Sequence, residues 1–220
     1  MKVVEINGIK IFVEEAENYI QINDIQEKDL AEIWEPLKKR YPGFEVTLCI
    51  RDMPAPKGTL DSIGAEILED CIAMKVTPQG YRPYGCGEVT LLEEADFAKF
   101  AALHDKVNPA PDMYWTSRRI QDKRDIWRIF AIKKGDEITG YGMLMVKLRD
   151  ETMGEIFCVE ADNHAHRAAL FSAMAGCAFG AGRSVVLRMV ERGNTHEHEA
   201  ALAVGFLEAG FYIGYQVRKV

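Results

Sequence analysis

The sequence predicts an α/β protein: a mixed sheet flanked by helices, preceded by an N-terminal α/β half-domain that resembles the C-terminal half of the same fold. Three observations lead there. Alternating strand patterns and helix-period patterns succeed one another along the whole chain. The order strand, loop, helix, strand occurs twice, in "FEVTLCIRDM…TLDSIGAEILEDCIAMKV" and in "RSVVLRMVER…HEHEAALAVGFLEAGFYIGYQV", each time after a longer amphipathic helix. Between the two lies "TPQGYRPYGCG", the densest cluster of glycine and proline, which marks a boundary between residues 1–85 and 86–220.

The elements follow in order. "VVEINGIKIFVEE" alternates apolar and polar residues around Asn7-Gly8, the signature of a two-residue hairpin. "YIQIN" is a short strand. Asp24, with Glu27 three residues on, has the spacing of a capping box and opens a helix with Leu30, Ile33, Trp34 and Leu37 on one stripe. Pro36 interrupts that helix. "FEVTLCI" is a strand, "TLDSIGAEILED" a helix bearing Leu60, Ile63, Ile67 and Leu68 on one side, and "CIAMKV" a strand. Beyond the boundary come "EVTLL" (strand), "EADFAKFAALHDKV" and "MYWTSRRIQD" (helices), and a hairpin turning at Lys134-Gly135-Asp136. "MGEIFCVEA" is a strand and Asn163 opens the helix running to about Gly182. "SVVLRMV" (strand), "THEHEAALAVGF" (helix) and "FYIGYQVRKV" (strand) complete the chain.

Composition excludes several classes. Of 220 residues, 48% are hydrophobic and 28% charged, the proportions of a globular chain rather than a disordered one. The net charge of −7 argues against nucleic acid and against an anionic membrane surface as partners. No signal peptide and no long apolar span are visible. The five cysteines are odd in number and form no CxxC pair, which suits reduced thiols in a cytoplasmic protein.

From residue 88 to 220 the element order resembles the GNAT superfamily of acyl-CoA-dependent N-acyltransferases. "WRIFAIKKGDEITGYGMLMV" looks like the family's second and third strands, and "GEIFCVEA" like its central strand. "AFGAGRSVVLRMV" is similar to the end of the cofactor helix and the strand after it. "NTHEHEAALAVGFLEAGF" resembles the Asn-led helix ending in Gly-Phe. Two departures stand out. Ala165 and Arg167 occupy the small-residue positions of the family's glycine-rich cofactor loop when counted back from Gly182, and a two-residue shift does not restore the glycines. Ala201 stands where a tyrosine general acid is usual.

The resemblance implies transfer of an acetyl or other acyl group from acetyl-CoA (acyl-CoA) to a small-molecule or peptide amine acceptor. Glu155 matches the family's general base, since an ammonium must lose a proton before attacking a thioester; the alternative is a solvent-facing strand end. Backbone amides near Cys158 and Val159 would polarise the thioester carbonyl, and pantetheine would lie where the central strand splays from the next. The helix start at Asn163, His164, Ala165, His166 and Arg167 would bind the pyrophosphate, or would simply be capped by Asp162 or Asn163. Asn194 reaches toward the cofactor in the family, although Asn194 and Glu197 also have capping-box spacing. The pairs His164/His166 and His196/His198 invite a metal, but residues two apart on a helix diverge, so no metal is expected. Cys158 reads as packing rather than as a nucleophile. The other function consistent with these departures is a catalytically silent GNAT-like module that binds a ligand or partner.

Overall fold

The structure, a computed structural model, describes residues 2–85, 89–109, 115–148 and 150–218. In chain order the elements are β1 (Lys2–Ile6), β2 (Ile9–Glu14), β3 (Tyr19–Asn23), α1 (Glu27–Arg40), β4 (Glu45–Arg51), α2 (Lys57–Ser62) and β5 (Glu66–Val76). There follow β6 (Val89–Leu91), α3 (Phe97–Val107), α4 (Ser117–Asp122), β7 (Trp127–Lys134) and β8 (Glu137–Met145). The chain ends with β9 (Met153–Glu160), α5 (His164–Gly180), β10 (Val185–Glu191), α6 (Thr195–Ala203) and β11 (Leu207–Val217). Among the described residues no helix is long and apolar enough to cross a membrane.

Two compact units result, Met1–Ile72 with Gly210–Val220, and Ala73–Ala209. The divisions fall inside β5 and β11, so residues 73–85 belong to the second unit and the last strand largely to the first. The expected boundary segment explains part of this difference, because it is packed rather than extended as a linker. Tyr81 Oη donates to the Ser172 carbonyl (3.0 Å), the Tyr84 amide to Ser172 Oγ (2.9 Å), and the Arg82 amide to the Val204 carbonyl (2.9 Å).

In the first unit, β1 and β2 form the expected hairpin, with Asn7 and Gly8 both at positive φ (50° and 82°) as its tight turn requires. Strand β3 runs parallel to β4 across α1, and β11 lies antiparallel on the other side of β4. Leu30, Ile33, Trp34 and Leu37 bury the α1 stripe against Val46, Leu48 and Ile50. Pro36 cannot donate to the Glu32 carbonyl one turn back, and Asn7 Nδ2 from the hairpin turn occupies that carbonyl at 3.4 Å. Contrary to the expected interruption, the helix continues through its proline.

Two local expectations are corrected here. Asp24 does not cap α1: Gln26 is the N-cap, and Asp24 binds the backbone amide and guanidinium of Arg51. Glu27 instead accepts from the amide and hydroxyl of Thr59 (2.6 Å each) at the start of α2. The helix expected to carry Ile67 and Leu68 stops at Ser62, because Gly64 turns the chain at φ 68°, and residues 66–76 are strand. Ile67 and Leu68 are 64% and 51% exposed, so their apparent helical stripe buries nothing.

In the second unit the strand order is β10-β9-β8-β7-β6, with β9 and β10 parallel across α5 and the other neighbours antiparallel. Phe97 and Phe100 of α3 and Ile120 of α4 cover one face, against Trp127, Ile129, Tyr141 and Met143. The other face receives α5, which approaches closely because two strand positions lack side chains. A Cβ at Gly142 would lie 2.6 Å from Met174 Cε, and one at Gly154 would lie 3.3 Å from Ala178 Cβ.

Candidate functional site

The site is organised by an irregularity in β9. Met143 pairs with Cys158 but Leu144 pairs with Ile156, so Phe157 is an extra residue in the ladder. Such a bulge shifts the alternation of side chains by one. Glu155 pairs with Met145, Cys158 with Met143 and Glu160 with Tyr141, all on the face covered by α3. Ile156 and Val159 pair with Leu144 and Gly142, on the α5 face. Without the bulge Cys158 and Glu160 would have pointed at α5.

The opposite edge of β9 opens at the same place. Its parallel ladder with β10 runs from Met153/Val185 to Ile156/Arg188 and ends there, although β9 continues to Glu160 and β10 to Glu191. Arg188 reaches into this gap. Its Nη1 donates to the carbonyls of Phe157 and, at 3.4 Å, Ile156, and its Nε donates to Glu197 Oε1 at 2.6 Å.

Burial sets the electrostatics. Glu155 is half-buried, and desolvation raises its carboxyl above the ordinary value against the opposing pull of Arg188. Glu160 is raised by burial and by the nearby charge of Glu197, with Arg167 and Arg188 acting the other way. Burial pushes the Cys158 thiol up to about 12, which makes it a poor nucleophile and agrees with a packing role. The four described cysteines are all free thiols; Cys86 lies outside the described residues.

Beneath these residues lies a polar chain that sequence reasoning missed. His104 Nε2 is 2.8 Å from the Trp115 carbonyl, which can only accept, so that nitrogen carries the proton in the neutral ring. Nδ1 then accepts from Tyr141 Oη at 2.9 Å. Asn108 Nδ2 donates to the same phenol oxygen at 2.9 Å, and Cys158 Sγ lies 3.8 Å from it. The available signal was a histidine inside the apolar stripe of α3, where an imidazole is kept only with partners for both nitrogens.

The start of α5 is partly capped by its own side chains. Asn163 Oδ1 accepts from the His166 amide at 2.8 Å, and His166 Nδ1 lies 2.7 Å from Asp162 Oδ1. That contact holds Asp162 below the usual aspartate range, so a carboxylate stands beside the helix start. His164 and Ala165 are exposed, and Arg167 is half-buried. Asn194 caps α6, accepting from the Glu197 amide (3.2 Å) and donating to Glu197 Oε2 (3.0 Å). His198 meets Glu208 at 2.9 Å, and among the described residues no group of three or more His, Cys, Asp or Glu could hold a metal. Ala201 is fully buried. The structure thus brings Glu155, Cys158 and Val159 together along β9, with Asn163–Arg167 at its end, and turns Asn194 toward Glu197. The other missed residue, Arg188, was visible as a lone charge in the apolar run "VVLRMV".

Solved structures of GCN5-related N-acetyltransferases share the fold of this chain, with its bulged strand β9, the parallel neighbour β10 and the crossing helix α5. One is a GCN5-related N-acetyltransferase from Kribbella flavida, with a TM-score of 0.68 at 12% identity, over 98% of this chain and 89% of that one. Another, from Sphaerobacter thermophilus, gives 0.67 at 13% identity, over 94% and 75%. A tandem GNAT protein from the clavulanic acid biosynthesis pathway gives 0.61 at 11% identity, over 97% and 81%. No protein-family model and no curated protein sequence matches the chain.

Proposed function

We propose that the chain is an N-acyltransferase that moves an acyl group, acetyl in the simplest case, from acyl-CoA to an amine. The observation that carries this reading is Glu155, a half-buried carboxylate made more basic by burial, two residues before the bulge. It would take the proton from the acceptor ammonium, directly or through one water, and free the nitrogen to attack the thioester carbon. Backbone amides near Cys158 and Val159 would hold the oxyanion of the tetrahedral intermediate until the carbon–sulfur bond breaks. Ala201 has no proton to give, so the thiolate leaves unassisted at that position. The start of α5 and Arg167 would hold the pyrophosphate.

The order strand–helix–strand–helix–strand occurs as β3-α1-β4-α2-β5 and again as β9-α5-β10-α6-β11. That supports reading residues 1–85 as a half-domain and 86–220 as the acyltransferase domain.

A second reading, a silent module that binds a ligand or partner, is favoured by the Asp162 carboxylate and the capped amide at the helix start. Both would oppose a pyrophosphate. Incubation with acetyl-CoA and a panel of primary amines, with release of free CoA thiol as the readout, separates the two. Thiol release that requires both an amine and Glu155 establishes the transferase; CoA binding without release establishes the silent module.

A further inference from the structure

We propose that Arg188 and Glu197 form a clasp across the opening between β9 and β10, and that acyl-CoA enters only when this clasp releases. The inference rests on the acyl-CoA reading above and adds to it the two residues that govern access.

Where a ladder opens, the freed backbone groups become the hydrogen-bonding edge that an extended, amide-bearing ligand can add to. On β9 the first carbonyl beyond the last paired residue is that of Phe157, and the guanidinium of Arg188 already donates to it and to Ile156. A ligand amide seeking either carbonyl must share it with the guanidinium or displace it. The guanidinium is held from behind by Glu197, itself held by the side chain and cap of Asn194. The two charged side chains are only 14% and 6% exposed. Separating them without a replacement partner leaves a desolvated carboxylate, so the closed arrangement is strongly favoured. Affinity for any ligand of the gap falls in proportion to the fraction of molecules that are open.

The clasp also explains a charge in the middle of an otherwise apolar strand. A β10 residue serving only the core at position 188 would be aliphatic, like Val186 and Val190, which are fully buried.

The test replaces both charges together, so that neither is stranded. R188M/E197Q and the parent protein are titrated calorimetrically with CoA, after thermal melts confirm that both fold. The clasp predicts at least about fivefold tighter binding in the double variant. Equal or weaker binding overturns it while leaving the acyl-CoA reading standing. Absence of binding in both proteins at millimolar CoA overturns that reading and the clasp with it. Should the double variant not fold, the Arg188 Nε–H resonance of the parent decides. It should be protected in the free protein and lose that protection when CoA saturates the site; an unchanged signal in the CoA complex overturns the proposal.

Discussion

The Tyr141 hydroxyl donates to His104 Nδ1 across 2.9 Å, and the direction of that bond follows from the Trp115 carbonyl on the other side of the ring. Both residues are fully buried, and the phenol oxygen is also the acceptor for Asn108. Tyr141→Phe removes the hydroxyl, leaves His104 Nδ1 without its donor and takes from Asn108 Nδ2 one of its two acceptors, the other being the His104 carbonyl. Loss of about 1–3 kcal/mol of stability is expected, read as a lower denaturant midpoint at an unchanged slope. In the parent, nitrogen NMR should find the proton of His104 on Nε2.

Glu155→Gln should act in opposite directions on activity and stability. In the proposed general-base role the carboxylate would contribute about 10²–10⁴-fold to turnover, so the variant should lose that factor while CoA affinity stays nearly constant. The parent's rate should rise with pH through a midpoint above the ordinary glutamate value of 4.5, and that limb should vanish in the variant.

For stability the sign reverses. Because burial raises the folded pKa, the fold favours the neutral acid. Its contribution is complete below the unfolded value and is lost as pH rises through the folded one. Glu155→Gln should therefore melt higher than the parent at about pH 8 and show no such advantage at about pH 4. A variant less stable than the parent at the higher pH would contradict the desolvation account.

At the start of α5, Asp162 and Arg167 should have opposing effects on CoA. Arg167→Ala should weaken binding about tenfold by removing the proposed charge-assisted contact to phosphate. Asp162→Asn removes the carboxylate that would repel the same phosphates and should tighten binding severalfold. Calorimetry on the two variants checks both, and effects of the same sign would remove this helix start from the site.

Gly205→Ala tests the junction after α6. Gly205 has φ 95°, and an added Cβ would overlap the Gly80 carbonyl, which is backbone and cannot swing away. The strain and the clash together should cost more than about 2 kcal/mol, seen as a large drop in melting temperature.

Much of the architecture was legible because it is local. The Asn7-Gly8 turn, the α1 stripe and the Asn194 cap each depend on residues a few positions apart and formed as expected, and at Asn163, where capping and phosphate binding were both open, the cap is present. One failure was a local signal overruled by a distant partner, the other a helical spacing read across a local stop. Asp24 had the right spacing to cap α1 but binds Arg51 on another strand, and Ile67 and Leu68 had helical spacing beyond a glycine that had already ended the helix.

The sequence by itself determined the order of elements and the Gly/Pro-rich segment, since these follow from periodicity and turn chemistry, while Glu155 was singled out by the family resemblance rather than by pattern. Tertiary structure alone decided which face of β9 carries the candidate site. A single extra residue at Phe157 moved Cys158 and Glu160 beside Tyr141, because strand side chains alternate and one insertion inverts everything after it. It also decided the role of Arg188. A charge in an apolar run is only an anomaly in sequence; opposite an opened ladder and a buried glutamate it becomes a bound group, because a desolvated guanidinium persists only where its donors are met.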